Sequence, residues 1–307
     1  METSVGLPSN GRSNSFQGVL VSPSVMAGLS ALFAVVLFSL TVPVSQMAMA
    51  VFSPEFITFF RAGGAGLGSV CLMLLFKWKL PNKQHCVKLV IAGMAVTLLF
   101  PYFLVKALSA FSPQNMGVML AGIPLITALI AIFIFTEKTN KVFWFSLLSG
   151  TGLLMHFSFS QSQNGFNVYA VLMLLMAGIG YSLGGQVAKS IGGFKTICWM
   201  CIFYLPVSIF GLGYEAIENA HGFSFVYLKE LLALLYLALL SQWIGFHFWY
   251  GSMAKIGIAR AGQVQLLQPF FTLFFCVPLL GNSLESHHLI YAGLITLTVA
   301  LTMKYRV

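Results

Sequence analysis

Trp243, His247 and Tyr250 stand at i, i+4 and i+7 within one apolar run, so on a helix they share a stripe that carries an aromatic platform, a titratable ring and a phenol. That face suits a small polar solute. The competing explanations are an interfacial aromatic belt for Tyr250 and a packing role for His247. Gln265, Gln268 and Thr272 fall at i, i+3 and i+7 further on. Two neutral amides on one face can donate and accept toward a zwitterionic or nucleoside-like ligand without desolvating a charge, and hydrogen bonding between helices is their alternative use. Ser39 and Gln46 flank Pro43 at the same helical spacing, Ser182 and Gln186 lie at matching heights in a later segment, and Tyr102 occupies a third. Together these residues would make a ring of neutral donors and acceptors with aromatic walls.

Other chemistries are weaker. The chain has no Asp, which removes Asp-dependent catalysis and metal binding, and no Glu falls near the middle of an apolar segment. A carboxylate proton relay is therefore missing, and facilitated diffusion or exchange is expected in place of proton coupling, with His247 the sole proton site. Arg61 is the one fixed charge well inside an apolar segment. We expect it to pair with backbone carbonyls or Glu55 rather than to anchor a substrate carboxylate. Gly180-Tyr181-Ser182-Leu183-Gly184 matches a G-x-S-x-G pattern, and Ser182 with His247 as base would make an intramembrane serine hydrolase. That motif requires an exposed strand-to-helix elbow, whereas this one lies in an apolar helical run, so no enzyme is expected. Cys198 and Cys201 form a C-x-x-C without a second pair, which points to packing and not to zinc. No cofactor and no metal are expected.

The elements that must position these residues follow from composition. Of 307 residues 58% are apolar and 7% charged, with a mean hydropathy of +0.90. A soluble domain is about a quarter charged, so most of this surface must face lipid. Apolar segments run over 24–50, 54–76, 87–108, 113–135, 142–160, 167–188, 194–213, 227–252, 260–280 and 286–304. Each is near the roughly 20 residues that cross a bilayer as a helix, and no loop could hold a further domain. Residues 1–23, rich in Ser, Gly and Asn, read as a disordered cytoplasmic tail.

With ten spans both termini share one side. If that side is cytoplasmic, thirteen basic residues fall inside and only Lys106 and Lys229 outside, the positive-inside bias. The formal charge of +9 thus records topology and not a nucleic-acid partner. The expected partners are the lipid bilayer, a small-molecule substrate and at most a second copy of the chain as a homodimer. The expected location is a bacterial inner (plasma) membrane.

A constant shift of 145 residues lays Phe103 on Phe248, Gly117 on Gly262, Pro124 on Pro269 and Thr127 on Thr272, and a shift of 143 lays Phe38-Ser39-Leu40 on Tyr181-Ser182-Leu183. Five spans per half is an odd number, so the second half enters the membrane inverted. Two such modules exchanging conformations give access to one site from alternate sides. Pro124 and Pro269, each about ten residues into its span, remove a backbone hydrogen bond and are candidate hinges, with packing the other reading.

The runs FSPQNMGVMLAGIPLITALIAIFIFTEK, IGIARAGQVQLLQPFFTLFFCVPLLGN and SPEFITFFRAGGAG, with the five-plus-five count, resemble the drug/metabolite transporter superfamily in its ten-helix EamA-like branch. The resemblance implies an all-α membrane protein of two inverted five-helix repeats, 24–160 and 161–307. It also implies a central cavity lined by the first, third, fourth, sixth, eighth and ninth spans, and transport of an amino acid or its derivative. An adenosyl metabolite such as S-adenosylmethionine, its purine stacked on Trp243, is the second substrate class, and drugs or dyes the third. Asn282 stands where the family carries Glu at the end of the ninth span, the nearest carboxylate being Glu285, while Thr136-Glu137 keeps the Glu in the first half.

Overall fold

The computed structural model describes residues 22–135, 141–161, 167–218, 228–281 and 283–304, and among these the chain is helix and turn throughout. Most of the expected tail, the Thr136-Glu137 pair and Asn282 lie outside the described residues. The helices are α1 (Pro23–Ala48), α2 (Pro54–Leu75), α3 (Lys83–Leu108), α4 (113–135), α5 (Lys141–Gln161), α6 (Val168–Ile191), α7 (Gly193–Glu218), α8 (Leu228–Ile256), α9 (258–280) and α10 (Ser286–Lys304). Six of them, α1, α2, α3, α6, α7 and α8, are long and apolar enough to cross a membrane, at 22 to 29 residues each. Large apolar side chains such as Leu75, Phe145, Phe210 and Ile217 are exposed on the outside of the bundle. In water that surface would be untenable, and in lipid it costs nothing.

Local chemistry sets where helices begin. Ser22, Ser53 and Ser112 each cap a helix whose first residue is Pro, and their hydroxyls accept from Val25, Phe56 and Asn115. The serine satisfies an orphan N–H, and proline occupies a position whose own N–H would be unpaired anyway. Asn82 Oδ1 accepts from the His85 N–H at 2.8 Å, which starts α3 about one turn earlier than hydropathy indicates. Gly192 and Gly257 adopt φ of +86° and +87°, a conformation that L side chains rarely tolerate, and so separate α6 from α7 and α8 from α9 with almost no loop.

Packing relies on small residues, as in membrane bundles generally. α2 lies along α7, where a Cβ on Gly66 would stand 2.9 Å from Leu205 Cδ1 and 3.1 Å from the Cys201 carbonyl oxygen. α2 also lies close to α8, where a Cβ on Gly64 would stand 3.0 Å from Ala238 Cβ. Where α7 begins, Gly193 meets the α8 backbone so closely that a Cβ would fall 2.1 Å from the Gly251 nitrogen.

Among the described residues five helices depart from α geometry within their length, α1 by a turn at Leu40. α3 turns π-helical over Met94–Leu99 and α8 over Tyr236–Gly245. α4 tightens to a 3-10 turn at Leu120–Gly122 just before Pro124, and α9 breaks between Gln265 and Gln268 just before Pro269. The two ends of the bundle also differ. At one end Trp78, Lys195 and Lys255 gather around the α6–α7 and α8–α9 turns. At the other, Glu55 pairs with Lys106 at 2.9 Å, Ser53 donates to Glu215, and His288 meets Asn115 at 3.0 Å. We call these the basic end and the acidic end.

A candidate substrate site at a buried polar layer

Arg61 lies two turns into α2 and is 2% exposed. Its Nε donates to Gln242 Oε1 at 2.9 Å and its Nη2 donates to Ser241 Oγ at 3.1 Å. Ser241 Oγ in turn lies 2.8 Å from Thr41 Oγ1. Tyr181, Tyr236 and Cys201 stand around the guanidinium. Among the described residues no carboxylate forms an ion pair with it. The expected pairing with Glu55 is not made, because Glu55 is engaged at the acidic end by Lys106 and by the Tyr102 hydroxyl at 3.3 Å. Arginine at the centre of a membrane helix costs about 2.5–3.5 kcal/mol on insertion scales, so its place here needs compensation. Two neutral acceptors supply part of it.

The layer is built by the two π segments. Thr97 sits in that of α3 and Ser241 and Gln242 in that of α8. Thr97 and Gln242 are related by the 145-residue shift, are fully buried, and flank the Cys201 thiol. Beyond that weak thiol, Thr97 Oγ1 and Gln242 Nε2 have no hydrogen-bond partner. Ser45 Oγ on α1 has none either among the described residues. Unpaired buried polar atoms cost about 1–3 kcal/mol each and are rare in native structures.

On the basic side of this layer an aromatic cluster closes the bundle. Phe38 meets Phe246 at 4.8 Å between ring centres, and Tyr181 meets Trp249 at 5.5 Å. Beyond the cluster a pocket of about 420 Å³ at the basic end is lined by Trp78, Phe194, Lys195, His247 and Lys255. On the acidic side an open apolar groove of about 530 Å³ runs among Val44, Met47, Lys229, Leu232 and Tyr236.

The residues singled out in the sequence divide into three groups and do not form one ring. In the core, Ser39 Oγ donates to the carbonyls of Val35 at 2.7 Å and Gln268 at 3.2 Å, tying α1 to the break in α9. Gln265 Nε2 donates to Gln268 Oε1 at 3.3 Å, so the two amides engage each other. Tyr250 is fully buried, and its hydroxyl donates to the Gly180 carbonyl at 3.0 Å; it is not part of an interfacial belt. Ser182 Oγ is buried without a partner, so the serine–histidine dyad of the hydrolase reading is not formed. Toward the basic end, His247 faces Phe194 at 4.6 Å, Trp243 Nε1 donates to Cys198 Sγ at 3.4 Å, and Gln186 accepts from Lys88 at 3.1 Å. Tyr102 belongs to the acidic end, and Gln46 is half-buried on α1. Pro124 and Pro269 each sit directly after an irregular turn.

Sequence reasoning missed Ser241, Gln242 and Thr97. A π segment carries an extra residue per turn, so a wheel of 3.6 residues misassigns the inward face of α8 between 236 and 245. The signal that could have found the layer is the same 145-residue shift, which places the polar Thr97 on Gln242.

These features define the class: an all-α, multi-spanning membrane protein with a polar layer enclosed at its centre. The sequence pattern of the EamA-like transporter family matches the chain twice, over residues 25–156 and 166–304. The uncharacterized transporter YdeK of Bacillus subtilis (strain 168) is 30% identical over 274 residues, 88% of this chain and 92% of its own. A solved crystal structure superimposes with a TM-score of 0.58 at 16% identity, covering 90% of this chain and 96% of its own, a likeness of fold alone. The chain belongs to the EamA-like transporter family, within the drug/metabolite transporter superfamily, and is a membrane transporter of a small molecule rather than an enzyme.

Proposed function

We propose that the protein moves a small polar metabolite, an amino acid or a derivative of one, by alternating access between two inverted five-span modules, residues 24–160 and 161–307. Both termini are then cytoplasmic in a bacterial inner membrane, and transport is facilitated diffusion or exchange. The observation that carries this reading is the pairing of irregular segments. Under the 145-residue shift the π segment Met94–Leu99 falls within the π segment Tyr236–Gly245, and the turn Leu120–Gly122 falls on the break in α9. Two family matches of similar length, one in each half, support the same division. Irregular backbone at the same level of two related modules is expected where they meet around a solute. The carboxylates Glu55, Glu215 and Glu285 gather at the acidic end, which leaves exchange favoured over a carboxylate proton relay.

The test is counterflow in proteoliposomes with labelled amino acids, their derivatives and adenosyl compounds, repeated for Trp243→Ala and Gln268→Ala. Exchange of amino acids that falls at least severalfold in either variant supports the reading. Undiminished exchange in both removes Trp243 and Gln268 from the site. Substituting Pro124 or Pro269 by Ala should slow exchange while leaving equilibrium binding in place; unchanged rates would reduce the prolines to packing.

A further inference from the structure

We propose that Arg61 anchors a carboxylate carried by the transported solute, with Gln242 Nε2 and Thr97 Oγ1 as the donors that complete its hydrogen bonding. The inference rests on the transport reading and narrows its substrate class to small organic acids and zwitterions that bear a free acid group.

The layer has spent its acceptors and kept its donors. Gln242 Oε1 and Ser241 Oγ both accept from Arg61. Apart from the weak Cys201 thiol, Gln242 Nε2, which can only donate, and Thr97 Oγ1, which can donate, have no partner among the described residues. The guanidinium has five N–H groups in a rigid fork, of which Nε and Nη2 are used. A site made of one cation with no carboxylate partner among the described residues, and two donors met only by a thiol, has room in its bonding for an anion with two acceptor oxygens, and a carboxylate fits the fork. Each of these polar atoms is buried, so bulk water does not satisfy them.

Position adds a second argument. Thr97 and Gln242 occupy equivalent places in the two π segments, so a solute held between them contacts both modules, whichever end is open. Tyr236 stands between the layer and the groove at the acidic end. Its ring borders Arg61, its hydroxyl donates to the Leu37 carbonyl at 2.8 Å, and it also lines the 530 Å³ groove at the acidic end together with Lys229. On the opposite side, beyond the Phe38–Phe246 and Tyr181–Trp249 contacts, Lys195 and Lys255 line the pocket at the basic end. Cations thus stand at the basic end and at the centre, and Lys229 borders the apolar groove at the other end.

The experiment uses the full-length protein and acid–amide pairs: L-amino acids and 2-oxo acids, each beside its own carboxamide, with sodium chloride as an inorganic control. Binding is read from the melting temperature and from tryptophan fluorescence, transport from counterflow. The acids should bind and exchange while the amides do not, Arg61→Gln should weaken acid binding at least tenfold, and Arg61→Lys should retain an intermediate affinity. Should Arg61→Gln fail to fold, Thr97→Val serves in its place, with a severalfold loss of acid affinity and an unchanged unliganded melting temperature. Equal binding of acids and amides, full acid affinity in the variants, or a response to chloride matching that to the acids would overturn the proposal. Exchange of amides or nucleosides that ignores Arg61 sinks the carboxylate site and leaves the carrier standing. Acid binding without exchange of any solute does the reverse.

Discussion

Gln242 holds Arg61 through its amide carbonyl and leaves its nitrogen idle, while Thr97 across the layer bonds to no oxygen or nitrogen. Buried polar atoms that differ in this way should respond differently to removal. Gln242→Leu withdraws an acceptor from a buried charge and should destabilise by about 1.5–3 kcal/mol, the range for hydrogen bonds to charged groups, seen as a lower melting temperature in detergent. Thr97→Val is nearly isosteric and removes a hydroxyl met only by the weak Cys201 thiol, so its unliganded melting temperature should match that of the wild type. A fall in Thr97→Val as large as in Gln242→Leu would mean that the hydroxyl has a structural partner.

At the scale of the elements, the seams between helices decide which face of each helix turns inward. α7 can begin against α8 only because position 193 lacks a Cβ, since the nearest atom is backbone nitrogen and cannot rotate away. Gly193→Ala should therefore cost about 1–3 kcal/mol, as overpacking does, and shift α7 where its first residues wall the pocket beside His247 and Lys195. The same change at Gly213, inside α7 where a Cβ would meet nothing within 4 Å, should hold or slightly raise the melting temperature through helix propensity and serves as the control. Helix existence and most boundaries were legible from hydropathy, because burial in lipid demands a continuous apolar run. The early start of α3 was not, since it depends on a single cap at Asn82.

For the whole molecule, the difference between its two ends sets how it inserts. Lys79 and Ser109 are exposed at the turns following α2 and α3. In a Cys71→Ser background that removes the exposed native thiol, Lys79→Cys should react with a membrane-impermeant maleimide only from the cytoplasmic side, and Ser109→Cys only from the other. Labelling of both from one side would contradict the proposed topology.

Apolar run length, the skew of Lys and Arg, and the 145-residue self-similarity are read along the chain, because each depends on a residue's type and its distance from the next. Hydrogen-bond pairing depends on groups far apart in the sequence, and here the fold alone decided it. Arg61 and Gln242 are 181 positions apart, and they meet because Gly64 and Gly68 bring α2 against Ala238 and Trp243 of α8 and a π segment turns the polar pair of α8 inward. The stripe Trp243–His247–Tyr250, drawn on an ideal helix, instead spreads from an indole bonded to sulfur, through a ring at the pocket of the basic end, to a phenol sealed in the core. An extra residue in a turn changes every facing beyond it, and no count of 3.6 residues per turn contains that information.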